Sequence, residues 1–445
     1  MKQRFIIFFT LLLLVIFSSC RKSEFIVDEV IVLKDSGTGI GTITLSSDKE
    51  YLLDGLVFVN DGQVLTIEPG TIIRAKPGQG EEASALIVCR GGKIVAEGTA
   101  AEPIIFTAES DDLDGSIPLE TSGLWGGVII LGNAPVNTET GESKIEGIPV
   151  YDERADYGGT DINDDSGVFC YVSIRHGGTS LEVGNEINGL TLGGVGKGTE
   201  IHHIEVIANK DDGIEFFGGT VDCKYIISGF CGDDAFDFDD GYCGRGQFWL
   251  AIQTNMAGDL LAEHDCGYDN YNNFTKPVIY NSTLIGRGIT GSKGLISFRN
   301  GSAGIYKNSV FINQAWGIEI QYENTDADSY SKFTDEKIQF ENNIFYYLGI
   351  TDYTDVLNLV SETTTIPNEK QEELDDYFVN SGNILSDPGI TVESNYISVL
   401  PTGEVSENTA IVNDDWFDNV SYKGAFKNVN WTTGWSYLSK IGYLR

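Results

Sequence analysis

Two passages of the chain superimpose at an offset of 22 residues, and that offset limits what the chain can fold into. Asp211-Asp212-Gly213-Ile214-Glu215-Phe216 lines up with Asp233-Asp234-Ala235-Phe236-Asp237-Phe238. Less closely, Ile204-Glu205-Val206 falls on Ile226-Ile227-Ser228, and Ile296-Ser297-Phe298 repeats as Ile318-Glu319-Ile320. A period of this length, built from short strands and Gly/Asp turns, predicts a β-solenoid whose coils stack on one another. Equivalent residues then lie about 4.8 Å apart along the axis. Ile214 and Phe236 are expected at matching interior positions. The Asp pairs are expected to lie over each other, with Glu215 over Asp237. Like charge at that spacing is costly unless water or a cation relieves it.

The same grammar runs through most of the chain. From about Lys49, strand-sized runs such as Leu56-Val57-Phe58-Val59 and Leu65-Thr66-Ile67 alternate with the turn signals Asn60-Asp61-Gly62 and Pro69-Gly70. Gly takes positive φ and Pro presets its own φ, so these punctuate the strands for a physical reason. The plan recurs at Ala85-Leu86-Ile87-Val88, Lys93-Ile94-Val95 and Ile104-Ile105-Phe106, and Trp125-Gly126-Gly127 precedes another run at Val128 to Leu131. Three short strands per turn predict a three-faced parallel β-helix. Two acidic, polar stretches, Asn137 to Gly167 and Gly258 to Thr275, read as loops thrown out from the coils. Recurrent Asn281, Asn308 and Asn342 at strand starts predict a stacked amide ladder. Asn368 to Phe378 is helix-compatible. The aromatic C-terminus, with Trp416, Phe417, Tyr422, Phe426, Trp431, Trp435 and Tyr437, reads as a cap over the last coil.

These residues also carry a resemblance. LTIEPGTIIRA, ALIVCRGGKIVAEGTAAEPIIFTA, GLWGGVIILGNAPVN, DDGIEFFGGTV and the late GAFKNVNWTTGW resemble right-handed parallel β-helix lipoproteins of Bacteroidetes-type bacteria, over roughly residues 50–440. The resemblance implies a pectate-lyase-like fold and an envelope location, and no chemistry. The expected fold class is therefore all-β, a right-handed single-stranded parallel β-helix with inserted loops and a C-terminal cap. The expected organisation is a lipoprotein signal peptide at 1–19, a tether and first strand at 20–48, the β-helix at 49–400 and a capping segment at 401–445.

The start of the chain sets its destination. Lys2 and Arg4, the apolar run Phe5 to Phe17 and the small residues before Cys20 predict a secretory leader. The run is too short for a permanent membrane span. Ser18-Ser19-Cys20 resembles the bacterial lipobox, which implies lipidation of Cys20 and attachment to the outer membrane, on its periplasmic or surface side. Phe17 replaces the usual aliphatic residue, which leaves ordinary signal cleavage as the alternative. With 29 basic and 66 acidic residues the net charge is −37, and the leader holds two bases and no acids, so the mature value is −39. That charge argues against nucleic acid as a partner. The partners expected are the membrane, through the lipid, and a polysaccharide or envelope protein. Six cysteines remain. Cys223, Cys243 and Cys266 recur at near-coil spacing and are candidates for disulfides, while Cys89 and Cys170 read equally well as buried apolar residues.

The acidic stack has three readings. Asp before Gly usually caps a turn and faces water. Alternatively, Asp211, Asp212, Glu215, Asp233, Asp234 and Asp237 offer hard oxygens from neighbouring coils, a ligand set suited to calcium (Ca2+). The third reading is catalysis, since a paired acid and base on adjacent coils can cleave a polysaccharide. Asp211-Asp212 is similar to the paired aspartates of polygalacturonase-type enzymes, but their His-Gly and Arg-x-Lys elements do not follow it. Lyase chemistry would need a cationic base opposite calcium, with Lys224, Arg245 and Arg299 as candidates. His202 and His203, His176 and His264 are weak signals. Trp249, Tyr268, Tyr271 and Phe274 are candidates for stacking on sugar rings, or for anchoring loops and core. The functional expectation is a non-enzymatic binding module for a glycan, an ion or a partner protein, with a divergent polysaccharide lyase or hydrolase as the alternative.

Overall fold

The computed structural model describes residues 30–182, 185–267, 273–325, 327–350 and 352–445. The expected leader, Cys20, Tyr268 and Tyr271 lie outside the described residues. Within them, parallel strands wind into a right-handed β-helix with a ten-stranded sheet and an 18-stranded sheet. The larger sheet turns a corner and so supplies two of the three faces. The strand Gly167–Arg175 shows how: its first half pairs with Lys93–Glu97 and its second half with Ile104–Ala108. We call the ten-stranded sheet the first face and these two halves the second and third.

The 22-residue register is the one the repeat predicts. Ile214 pairs with Phe236 and Glu215 with Asp237, while Ile204 pairs with Ile226 and Ile296 with Ile318. Ile214 and Phe236 are both buried in the core. Inside, rings stack from coil to coil. Phe216 lies 5.3 Å from Phe238, Phe238 lies 4.8 Å from His264, and His264 lies 4.3 Å from Phe298. His264 is thus a core residue, bonded at 2.8 Å to the Tyr306 hydroxyl, and its burial pushes its pKa down to about 3. Trp249 is likewise core, donating at 2.9 Å to the Cys223 carbonyl.

The corner between the second and third faces is made by single residues at positive φ: Tyr171, His203, Tyr225 and Phe248, then Asn281, Asn308 and Asn342, at 50° to 61°. This backbone is unfavourable for a non-glycine residue. The four rings offset the cost by stacking at 4.3, 4.4 and 5.0 Å. The bend also breaks strand alternation, so His202 and His203 both point outward and their Nδ1 atoms meet at 2.9 Å. The expected amide ladder is replaced by a different device. Asn281, Asn308 and Asn342 donate outward to the carbonyls of Tyr422, Ala410 and Asn408. Their neighbours link the coils instead: the Ser282 N–H donates to Ser309 Oγ, and the Ser309 N–H to Asn343 Oδ1.

Other parts depart from expectation. Among the described residues the first coil strand is Val30–Leu33, which pairs with Glu50–Leu53 and lies in the segment read as a tether and first strand. Residues 137–167 are not thrown outward. They form an antiparallel hairpin, Glu142–Lys144 with Asp156–Gly158, that lays Ile145, Ile148 and Tyr157 against Ile129 and Leu131 of the first face. The loop read at Gly258 to Thr275 contains a first-face strand, Ala262–His264. The last coil is covered by the helix Asn368–Asn380, whose Leu374 and Phe378 join the core. The aromatic C-terminal segment takes the form of a strap along the outer corner of the second and third faces. Its Trp431 and Trp435 pack on the corner rings, 5.3 Å from Tyr225 and 5.7 Å from His203. All six described cysteines are free, and the expected Cys223–Cys243 neighbourhood does not form, since Cys223 pairs in register with Gly246.

Candidate metal centre

The first face carries a row of outward side chains set by strand register. Thr191, Glu215, Asp237, Glu263, Ser297 and Glu319 stand one above another. Alternation forces this: Ile214 and Phe216 point into the core, so Glu215 between them points out. Asp211, Asp233 and Asp259 lie on one side of the row, with Asp239 and Asp265 on the other.

The six acidic residues singled out in the sequence do not meet at one point. They divide among three overlapping triads, Asp212–Glu215–Asp237, Asp211–Asp212–Asp233 and Asp233–Asp234–Asp259, and within each triad one oxygen per residue lies within 4.8 Å of the others. Two donors 4.8 Å apart can each reach a shared ion at about 2.4 Å, the calcium–oxygen distance. Asp212 and Asp234 also do what turn aspartates do, accepting the N–H of Asp234 at 2.8 Å and of Leu260 at 2.6 Å. They do not face water, being 7% and 5% exposed.

The hairpin insertion closes the first triad. Asn188, fully buried, donates from Nδ2 to both Glu215 and Glu146, at 3.0 Å for Glu146. Its Oδ1 has no hydrogen-bond partner among the described residues. The triad therefore offers only oxygen donors and one orphaned amide oxygen beside them, a set that fits calcium. In the sequence none of Glu146, Asn188, Asp259 and Glu263 is singled out, and Asp239 enters only as part of the Asp239-Asp240-Gly241 turn. Asn188 carried a usable signal, since Asn188-Gly189-Leu190-Thr191 repeats the pattern of Asp212-Gly213-Ile214-Glu215.

Burial pushes the carboxyls of Asp212, Glu215, Asp234 and Asp237 well above the usual range, and neighbouring carboxylates push them further. The same two causes, burial first, raise Glu146, Asp211 and Asp239 to about 7. Glu263 also rises to about 7, through burial, although Arg299 opposes the shift. Lys210 acts on Asp211 from a distance, and two cations pair directly with carboxylates of this face. Arg299 pairs with Glu263 at 2.5 Å and Asp265 at 2.6 Å, and Lys293 pairs with Asp259. Lys224 and Arg245 begin strands of the second face, away from these carboxylates.

Comparison with known proteins closes the description. A family model described as a pectate-lyase-like β-helix domain matches residues 37–435. No curated protein and no solved structure matches the chain.

Proposed function

The chain belongs to the pectate-lyase-like β-helix family, and from that premise we propose that it is a polysaccharide-directed binding module whose first face holds calcium. The observation that carries this reading is the convergence of Asp212, Glu215 and Asp237 beside the orphaned Asn188 oxygen. Without a cation, several buried carboxylates face one another, and each must stay protonated or repel its neighbours. Calcium tolerates irregular geometry and replaces that repulsion with binding, whereas magnesium demands a tighter octahedron.

The test is thermal melting in EDTA and in millimolar calcium, for wild type and Asp212→Asn/Asp237→Asn. At a hundredfold excess over Kd, calcium stabilises the fold by about 2.7 kcal/mol. The effect also has a defined pH dependence. The folded-state pKa values of Asp211 and Glu146 rise to about 7 from 3.8 and 4.5, so calcium must displace protons across that window. The calcium-induced rise in Tm is therefore absent near pH 4 and grows as the pH rises through about 7 and beyond, where the raised carboxyls of Asp212, Glu215 and Asp237 also give up their protons. An equal rise in the double variant, or one that is constant with pH, contradicts the site.

We place the protein on the outer membrane through Cys20. In Cys20→Ala, palmitate labelling is lost and the protein moves to the soluble fraction. Unchanged labelling and fractionation would place the tether elsewhere.

One observation favours a second reading, cleavage of an acidic polysaccharide: Arg299 shares a face with the carboxylates. Burial works against its charge, but Glu263 and Asp265 hold its pKa above the usual arginine value, which leaves it a poor proton acceptor. Incubation with pectin and alginate in calcium distinguishes the two readings. The binding reading expects no unsaturated product or new reducing end, and release that is lost in Asp212→Asn/Asp237→Asn would establish catalysis.

A further inference from the structure

We infer that the two ends of the coil fit each other, so that copies of this chain associate head to tail through the third face. Among the described residues that face begins with Val30–Leu33 and ends with Ile384–Leu385, and each of these strands pairs on one side only. An open strand edge is a template for another strand. The two edges also match. Val30 and Ile384 occupy one register column that runs unbroken from strand to strand along the face. One further step of that column, from one copy to the next, sets Ile384 beside Val30, Leu385 beside Ile31 and Ser386 beside Val32.

Both edges leave apolar side chains bare. Midway along the column, Ile227, Leu250 and Val310 are buried together with residues of the strap. Val30, Val32 and Ile384 lack that cover and are exposed. Leu385 stands over Phe345, a core residue, yet it is half exposed. It borders an open cavity of about 350 Å³, lined also by Tyr347, Leu348 and Ile350, to which the helix Asn368–Asn380 contributes no residue. The core is therefore uncovered at this corner, and the next layer it calls for is apolar. Ile31 of a following copy supplies that layer.

Shape and charge agree with this contact. Along the chain the coils visit the first, second and third faces in turn. Among the described residues no first- or second-face strand precedes Val30–Leu33, whereas the helix Asn368–Asn380 stands where the last second-face strand would be. The described N-terminal end is thus recessed where the C-terminal end carries its helix. The same step brings Lys34 and Asp387, both exposed, to neighbouring positions. The contact joins unlike surfaces, so it does not close as a two-fold dimer does, and the assembly grows by adding copies. It depends on neither the cation nor a glycan.

The test is sedimentation velocity of the full chain carrying Cys20→Ala, in reductant, from micromolar to submillimolar concentration. The expected result for this parent chain is a mean particle size that passes two chains and keeps rising with concentration. Val32→Lys blocks one edge and Leu385→Lys the other, so each variant alone sediments as a single chain. Mixed in equal amounts, the two variants regain one sound contact and stop at the dimer, which also shows that both are folded. Asp212→Asn/Asp237→Asn associates as the parent does. If Leu385→Lys loses its cooperative melt, Leu385→Ser takes its place. A parent that stays a single chain throughout, association that survives in either single variant, or a mixture without dimer overturns the inference. A parent that stops at two chains overturns it as well, because a closed pair is isologous.

Discussion

Phe236→Asp abolishes folding of the central coils, whereas Phe236→Leu leaves a cooperative transition. Phe236 is buried above Ile214 in register, with its ring centre 4.7 Å from that of Trp249. Loss of the ring alone costs about 3–5 kcal/mol. An unpaired carboxylate in the same space adds at least several more, or must take up a proton to remain there. Net stabilities are about 5–15 kcal/mol, so the substitution removes most or all of the margin. Because each coil rests on its neighbours, the damage is not confined to one strand. Circular dichroism with thermal melting checks this, and a near-wild-type melt in Phe236→Asp would contradict the interior assignment.

Glu205→Ala releases the C-terminal strap. Glu205 is fully buried, and its carboxylate accepts from Ser173 Oγ at 2.7 Å, the Tyr437 N–H at 2.8 Å and the Leu438 N–H at 3.1 Å. Removing it leaves two buried N–H groups without an acceptor, at about 1–3 kcal/mol each. It also strips a compensating charge from Arg175, which is buried with its guanidinium 4.2 Å from the Tyr437 ring. The expected effect is a loss of about 3–5 kcal/mol, concentrated in the strap. Limited proteolysis should then cut beyond residue 400 while the coils stay intact. A strap as resistant as in wild type would show that the aromatic contacts alone hold it.

The parts of this fold legible in the sequence were those with an undisturbed period. Between Asp211 and Phe238 the coil length is constant, so the pairing of Glu215 with Asp237 follows from counting. The next steps in the row, to Glu263 and then Ser297, are 26 and 34 residues long because loops intervene, and the count fails there. The strand Ala262–His264 is short and has no β-branched residue, so nothing marked it within a polar stretch. The hairpin insertion was misread for a related reason. Its apolar residues Ile145, Ile148 and Tyr157 are scattered singly among acids, and only the folded chain shows them on one side. The strap depends on contacts that no local pattern encodes, such as that of Glu205 with Tyr437, 232 residues away. Within the site, the repeat supplied Asp212, Glu215 and Asp237, while Glu146 came from the insertion and stayed hidden with it.

The central claim is that the first face binds a divalent cation through Asp212, Glu215 and Asp237. Calorimetric titration of the EDTA-treated, dialysed protein with calcium at about pH 7.5 tests it most directly. The account predicts a saturable binding isotherm, weakened strongly at about pH 5 where the carboxyls hold their protons, and abolished in Asp212→Asn/Asp237→Asn. A featureless titration of the wild type, or an isotherm that survives unchanged in the double variant, would contradict it.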